Sequence, residues 1–237
     1  MIKNVLFDLD GTLLNMNEKV FVKEYFSALG KKVATLGYDK DIFIENVWKG
    51  MSAMVANDGK RLNEEVFWAT FSKAYGESVL KDKAALDSFY ENDFDSVKEY
   101  ANVSDVSRNV VKELKSQGYK LVIASNPVFP LVAQKKRLIW AGVDPDDFTY
   151  ITAYENSSFS KPNVMYYKEI MSKLDISPNE SIMVGNDVNE DMVAKESGLN
   201  VYLVTDCLLN KSNKDISEYN KGTLDGVLNY IATLNKR

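Results

Sequence analysis

Residues 5–14, VLFDLDGTLL, end an apolar run with two aspartates and then break at a glycine. An apolar run of this length that stops at polar or small residues is typical of a strand buried on both faces of a parallel sheet. Burying a carboxylate is costly unless it is paired or bound to a metal ion. Asp8 and Asp10 therefore predict a functional site at the end of the first strand.

Four further runs of the same kind follow, and they begin at Tyr119 (YKLVIASN), Thr149 (TYITAYE), Ser181 (SIMVGND) and Asn200 (NVYLVTD). Helical patterns occupy 104–117, 130–140, 161–176, where Pro162 suits a first helical turn, and 189–197. A last amphipathic helix is expected around 224–234, after a polar tail. This alternation of strands and helices predicts an α/β fold with a doubly wound, Rossmann-like parallel sheet.

Residues 15–100 interrupt the alternation with aromatic-rich helical stretches and no clear strand. We therefore predict a helical cap domain over 15–100, inserted after the first strand, and a catalytic core formed by 1–14 and 101–237. The cap aromatics Phe67, Trp68, Phe71 and Tyr75 are expected to form the core of the cap rather than a substrate pocket.

The composition limits the chemistry that is available. The 237 residues include no histidine and one cysteine, Cys207, which excludes Ser-His-Asp and Cys-His catalysis, histidine-ligated zinc and thiolate clusters. A net charge of -5 gives no indication of nucleic acid or an anionic membrane as a partner. With no signal peptide or membrane-spanning stretch in the pattern, we expect a cytoplasmic protein that is a monomer or weak dimer.

Polar side chains collect at the ends of the predicted strands, where doubly wound sheets bind their ligands. They are Asp8 and Asp10, Ser125 and Asn126, and Asn186 and Asp187, with Lys161 near the same edge. Carboxylates that converge repel each other, and Mg²⁺ relieves that repulsion. A hydroxyl and an ammonium beside them suit phosphoryl oxygens. The set predicts a Mg²⁺-dependent phosphate site, with one carboxylate as nucleophile and the other moving protons.

A second group of charges, Lys135, Lys136 and Arg137, lies within the predicted helix over 130–140. Runs of like charge in a helix usually belong to its solvated face. We therefore expect these three side chains to contact water rather than the site.

The segments DLDGTLL, ASN, KP and VGNDVNED, in this order, resemble the four motifs of the haloacid dehalogenase superfamily. The resemblance covers 1–14 and about 100–206, and the insertion resembles the C1-type cap of the phosphatase and β-phosphoglucomutase-like members. It implies a fold with a Rossmann-like core and a cap, and an aspartyl-phosphate mechanism with Mg²⁺.

The resemblance also implies roles for the residues of the first and third motifs. Asp8 would be the nucleophile, and Asp10 the general acid/base; both would also contact Mg²⁺, Asp10 through its backbone carbonyl. Gly11 and Thr12 would bring backbone amides to the phosphate. Lys161 would steady the nucleophile and the phosphate.

In the second and fourth motifs, Ser125 and Asn126 would bind phosphate, and Asp187 would be the remaining Mg²⁺ ligand. Asp191 would be a supporting acid. Many members have Gly-Asp where this chain has a glycine followed by Asn186 and Asp187. We favour Asp187 as the ligand because it keeps a four-residue interval to Asp191, and Asn186 remains an alternative ligand or a supporting group.

The predicted function is that of a Mg²⁺-dependent phosphoric monoester hydrolase acting on a small phosphorylated metabolite. A phosphosugar mutase of the same superfamily is the main alternative. A 2-haloacid dehalogenase, which needs no metal, and a non-catalytic phosphate-binding protein are further alternatives. The substrate and the cap residues that select it stay open at this point.

Overall fold

The structure is a computed structural model and describes residues 1–236. Within these residues the strands are β1 (Asn4–Phe7), β2 (Asn15–Met16), β3 (Ala101–Asn102), β4 (Lys120–Ile123), β5 (Tyr150–Ile151), β6 (Ser181–Gly185), β7 (Asn200–Val204) and β8 (Lys221–Gly222). Six of them form one sheet in the order β5-β4-β1-β6-β7-β8, and each neighbouring pair is parallel. The first strand therefore lies in the interior of the sheet, between β4 and β6.

The α-helices of the described residues are α1 (Glu18–Thr35), α2 (Lys40–Val55), α3 (Asn63–Tyr75), α4 (Lys83–Ser88), α5 (Asp105–Ser116), α6 (Leu131–Trp140), α7 (Val164–Leu174) and α8 (Gly226–Asn235). A 3₁₀ helix follows β6 at Met192–Ser197. None of the helices within 1–236 combines the length and the apolar character needed to cross a bilayer.

The sheet is covered on both faces because successive side chains of a strand point to opposite sides. Val5 and Phe7 of β1 belong to one apolar cluster, whereas Leu6 between them belongs to another. The first cluster includes Val110 of α5, and the second includes Tyr166 of α7. Helices on both faces of a parallel sheet confirm the predicted doubly wound α/β fold.

The local predictions differ from the structure at three places. The helix predicted from Lys161 begins only at Val164, because the side chain of Asn163 accepts the amide of Met165 and caps it there. The helix predicted over 189–197 is reduced to the 3₁₀ helix, because the preceding residues form a turn around Asp187. The short strand β8 lies in the polar tail, where no periodicity indicated it.

The insertion between β2 and β3 contains α1 to α4 joined by loops and short helical turns. The two strands pair in antiparallel fashion, with Asn15 opposite Asn102 and Met16 opposite Ala101. The two ends of the insertion therefore lie side by side in a small sheet of their own. The assignment of 15–100 as a separate cap domain stays a prediction.

Candidate active site

The carboxyl ends of three neighbouring strands bring the motif residues together. The amide of Asp8 donates to the carbonyl of Val184 in β6 at 2.9 Å, and the amide of Ala124 donates to the carbonyl of Phe7 at 2.7 Å. Asp8 therefore lies between the segment that carries Ser125 and the segment that follows β6. This adjacency follows from the strand order, which places β1 between β4 and β6.

A buried lysine joins two of the predicted acids. Lys161 Nζ donates to Asp8 Oδ1 at 2.8 Å and to Asp191 Oδ1 at 2.6 Å, and Lys161 is 1% exposed. Burial by itself disfavours the charged ammonium, but the carboxylates of Asp191 and Asp8 outweigh it and hold the pKa of Lys161 above its ordinary value. The lysine is therefore a fixed positive charge beside Asp8.

Asp191 is itself fixed by the backbone. Its Oδ2 accepts the amide of Asp187 at 2.9 Å. A side chain at Gly185 would overlap the Asp191 carboxylate, so the glycine is what lets that carboxylate approach the end of β6. The close approach positions Asp191 to hold Lys161 against Asp8.

The turn after Asp8 depends on Gly11, whose φ of 84° is in the left-handed region that favours glycine. A side chain at this position would also overlap the side-chain amide of Asn186. Thr12 follows, and its hydroxyl lies 3.3 Å from Asp8 Oδ2 and 2.9 Å from Asn186 Oδ1. Oxygen atoms of Asp8 and Asn186 therefore meet at one hydroxyl.

The expectation for the amides of this turn needs correction. The amide of Gly11 donates to the carbonyl of Leu14, and the amide of Thr12 donates to the carbonyl of Leu9, so both are used inside the turn. Within residues 1–236, the amides of Leu9 and Asp10 have no acceptor in the chain. The amides of this turn that have no acceptor are thus those of Leu9 and Asp10, not those of Gly11 and Thr12.

Asp10 pairs with Arg137, one of the three cations of α6 that were expected to contact water. Arg137 Nη1 donates to Asp10 Oδ2, and the arginine is fully buried rather than on the solvated face of α6. Burial raises the pKa of Asp10, and Arg137 opposes that rise. Consecutive residues of a helix point in different directions, and only every third or fourth residue shares a face. A run of three cations therefore does not show that all three side chains are solvated.

Within residues 1–236, no group of three or more acidic, histidine or cysteine side chains could hold a metal ion. The resemblance implies only two carboxylates at the ion, those of Asp8 and Asp187, together with the backbone carbonyl of Asp10. The carboxylate of Asp10 points to Arg137, and Asp187 Oδ1 accepts the amides of Asn189 at 2.7 Å and Glu190 at 3.0 Å. The hydroxyl of Thr12, which contacts Asp8, donates to Asn186 and not to Asp187. The preference for Asp187 as the metal ligand is therefore not supported by this geometry.

The donors that do meet still fit a hard cation. Three buried or half-buried carboxylates, Asp8, Asp10 and Asp191, face only two cations, Lys161 and Arg137. Asp10 Oδ1 is buried and has no partner among the described residues. An excess of negative charge together with free oxygen atoms suits Mg²⁺, which binds through one or two carboxylates and retains several waters.

The second motif lies beside this cluster. Ser125 is 3% exposed, and its carbonyl accepts hydroxyl groups from Thr152 and Tyr166, each at 2.7 Å. Asn126 Nδ2 donates to Glu190 Oε2 at 3.2 Å, and burial raises the pKa of that glutamate. Glu190 was missed in the sequence, although it lies inside VGNDVNED next to Asp191.

The insertion contacts the core at the loops that carry the site. Asn63, at the start of α3, is fully buried and donates to the carbonyl of Pro127 at 3.2 Å and to Ser160 Oγ at 3.0 Å. These acceptors lie next to Asn126 and Lys161. The structure therefore has the helical insertion packed over the two loops that follow β4 and precede α7.

An aromatic cavity lies where the insertion meets the core. Phe67, Trp68 and Phe71 line it from the insertion, and Phe129 and Tyr154 line it from the core. Phe71 is also buried in the main apolar cluster, so it both packs the insertion and lines the cavity. Tyr75 is not among the lining residues and packs on Phe71 and Tyr38.

Comparisons with known proteins find chains that are similar in sequence and in fold. The chain is 25% identical over 208 residues to the glyceraldehyde 3-phosphate phosphatase of Methanothermobacter thermautotrophicus, covering 86% of each chain. It superposes on a HAD phosphatase from Thermococcus onnurineus with a TM-score of 0.60 at 21% identity, covering 97% of this chain and 98% of the other. It also superposes on YfnB of Bacillus subtilis, described as a magnesium-bound HAD-hydrolase, with a TM-score of 0.57 at 20% identity, covering 98% and 99%.

The family match extends over the segments that build the site. The haloacid dehalogenase-like hydrolase family matches residues 2–198, a range that includes Asp8, Ser125, Lys161 and Asp191. This range spans most of the chain and the strands β1 to β6. The chain therefore belongs to the haloacid dehalogenase-like hydrolases.

Proposed function

We propose that this chain is a Mg²⁺-dependent phosphomonoesterase that hydrolyses a small phosphorylated metabolite through an aspartyl-phosphate intermediate. The observation that carries the proposal is the buried Lys161, which holds Asp8 at 2.8 Å while Asp10 lies two residues further along. A fixed ammonium beside a carboxylate at the end of a strand offers both a nucleophile and a partner for phosphoryl oxygens. The phosphatase activity of the relative from Methanothermobacter thermautotrophicus supports the same class of reaction.

The chain's own residues divide the work. Asp8 attacks phosphorus, and Lys161 and the amides of Leu9 and Asp10 hold the oxygens of the transferred group. Asp10 gives a proton to the leaving oxygen and then takes one from the water that hydrolyses the acyl phosphate. The hydroxyl of Ser125 and the amide group of Asn126 border the same site from β4. Each of these groups is close to the end of β1, so little reorganisation is needed.

Oxygen atoms of Asp8 and Asn186 and the carbonyl of Asp10 would hold Mg²⁺. When bound, the ion offsets the repulsion between the substrate phosphate and the carboxylates. The description of YfnB as bound to magnesium supports this choice of metal. Asp191 acts on the site through Lys161, and Asp187 acts through the turn that it stabilises.

The helical insertion serves as a cap. Its contact through Asn63 with both site loops would close the core over a bound phosphate and exclude bulk water. The aromatic cavity between cap and core would receive part of the leaving group. We further propose that the protein is cytoplasmic and acts as a monomer or weak dimer.

The proposal is tested by release of inorganic phosphate from a panel of phosphomonoesters, including glyceraldehyde 3-phosphate and sugar phosphates. We expect hydrolysis of at least one alkyl phosphate with Mg²⁺ and loss of it with EDTA, restored by added Mg²⁺. Activity that is indifferent to EDTA would contradict the metal dependence. Formation of an isomer instead of free phosphate from a hexose 1-phosphate would favour the mutase, and metal-independent release of chloride from a 2-chloroacid would favour the dehalogenase.

A matched pair of variants tests the choice of metal ligand. Asn186→Asp adds a negative charge at the oxygen site and is expected to tighten Mg²⁺ binding by about tenfold. Asp187→Asn removes a charge but keeps the oxygen that accepts two backbone amides, so we expect a change of less than about threefold. Titration calorimetry with Mg²⁺ measures both constants without any substrate.

A thermal melt must accompany that measurement, because Asn186→Asp removes a donor to the carbonyl of Cys207, which it contacts at 2.7 Å. If Asp187→Asn abolishes Mg²⁺ binding while Asn186→Asp leaves it unchanged, Asp187 is the ligand after all and the assignment to Asn186 fails.

A further inference from the structure

An ion pair between a fully buried arginine and the half-buried Asp10 joins Asp10 to α6. Arg137 is 0% exposed, and its Nη1 donates to Asp10 Oδ2 while its Nη2 donates to Gln134 Oε1 at 2.7 Å. Gln134 is also fully buried. Because a buried ion pair is often no more stable than apolar residues of the same volume, stability alone gives little reason for this arrangement.

The guanidinium is held from the other side as well. Its Cζ lies 4.4 Å from the centre of the Phe129 ring, and the Phe129 ring lies 5.3 Å from that of Tyr25 in the insertion. Tyr25 in turn shares a 2.8 Å hydrogen bond with the hydroxyl of Tyr90. Arg137 therefore contacts Gln134 through Nη2 and, over the ring of Phe129, an edge-to-face aromatic pair that reaches the insertion.

Only one of the two carboxylate oxygens of Asp10 takes part in the ion pair. Oδ2 is occupied by Arg137, whereas Oδ1 is buried and has no partner among residues 1–236. A carboxylate that is fixed through one oxygen keeps the direction of the other. Oδ1 is thus the oxygen left to exchange a proton with a bound substrate or water.

We propose that Arg137, oriented by Gln134, is the positioning residue that aims Oδ1 of Asp10 at the leaving oxygen. The inference rests on the proposed phosphatase function. As the bond from phosphorus to the leaving oxygen breaks, its electron pair stays on that oxygen, which takes the proton from Asp10 Oδ1. When water then attacks the phosphorus of the acyl phosphate, the water gives its proton to Oδ1 of Asp10, and the bond from phosphorus to Asp8 breaks.

The test uses leaving groups that differ in their need for a proton. p-Nitrophenolate leaves without protonation, whereas the benzyl alkoxide, which has a ring of similar size, requires it. Because Asp10 also serves as the base for hydrolysis of the acyl phosphate, which both substrates share, the comparison uses kcat/KM, which reports the steps up to departure of the leaving group. We expect Arg137→Gln to lower kcat/KM for benzyl phosphate by about 10²-fold to 10⁴-fold, the usual range for general acid catalysis, and kcat/KM for p-nitrophenyl phosphate by less than about tenfold. Arg137→Lys should restore part of the loss.

Two further variants separate positioning from packing. Lys135→Gln makes the same change of charge at an exposed position of α6 and should leave both rates unchanged. Gln134→Leu frees the guanidinium without removing it and should give a smaller loss with the same preference for p-nitrophenyl phosphate. If Arg137→Gln does not fold, Gln134→Leu and Arg137→Lys provide the test in its place.

A double variant completes the experiment. If Arg137 acts through Asp10, adding Arg137→Gln to Asp10→Asn should cause no further loss with benzyl phosphate. Equal losses of kcat/KM on both substrates, or additive losses of kcat/KM in the double variant, would overturn the inference, while wild-type phosphatase activity would leave the proposed function standing. A wild-type protein that hydrolyses neither these two esters nor any phosphomonoester of the panel would overturn both.

Discussion

Replacing Asp8 with asparagine is expected to reduce phosphomonoester hydrolysis by on the order of a thousandfold or more, because removal of a nucleophile abolishes the covalent route. The amide has nearly the same shape but cannot attack phosphorus. The substitution should not harm the fold. Lys161 keeps its 2.6 Å contact with Asp191, and a cluster of two carboxylates and one ammonium becomes a balanced pair.

The measurement is the rate of phosphate release for both proteins at saturating substrate, with a thermal melt of each. The melting temperature of Asp8→Asn should equal or exceed that of the wild type, since a repulsion between buried carboxylates is relieved. A variant that retains more than about a tenth of the wild-type rate would show that Asp8 is not the nucleophile.

Lys161→Met is expected to impair both folding stability and activity. The substitution leaves Asp8 and Asp191 without their shared donor in a site where Asp191 is 1% exposed and Asp8 is 8% exposed. Removing one partner of a buried ion pair typically lowers the free energy of unfolding by about 3–5 kcal/mol. The lost ammonium also no longer holds the phosphoryl oxygens, so the rate should fall even under conditions in which the variant is folded.

Urea unfolding measures the first effect, and Lys3→Met is the matched control. Lys3 pairs with Glu180 at 2.6 Å, but its side chain is 62% exposed, so its loss should change stability little. Combining Lys161→Met with Asp8→Asn should recover part of the lost stability, because one of the two unpaired charges is removed. Unfolding free energies that are equal for Lys161→Met and Lys3→Met would contradict the ionic character of this cluster.

Much of this architecture could be predicted because it depends on patterns that span only a few consecutive residues of the sequence. Apolar runs that end in polar residues indicated buried parallel strands, and the edge where they end is where ligands bind. That reasoning brought Asp8 and Lys161 into one prediction, although 153 positions separate them in the sequence. The paired acids and the missing histidines together restricted the chemistry to oxygen ligands and carboxylates.

What could not be predicted depends on which way individual side chains point. Arg137 looked like one member of a solvated run, yet the helix turns it inward to Asp10. The spacing from Asp191 favoured Asp187 as a metal ligand, whereas the structure has Asp187 Oδ1 accept the amide of Asn189 and has Asn186 Oδ1 accept the hydroxyl of Thr12. Which of the two binds the ion stays a prediction. The amides of Gly11 and Thr12 close the turn by themselves, which only its backbone geometry reveals.

The most direct measurement is mass spectrometry of the wild-type protein quenched in acid during turnover of a phosphomonoester with Mg²⁺. We expect the added mass of one phosphoryl group on the peptide that contains Asp8, lost on treatment with hydroxylamine and absent from Asp8→Asn. Turnover that proceeds with the phosphoryl group on another residue would contradict the assignment of Asp8 as the group that attacks phosphorus.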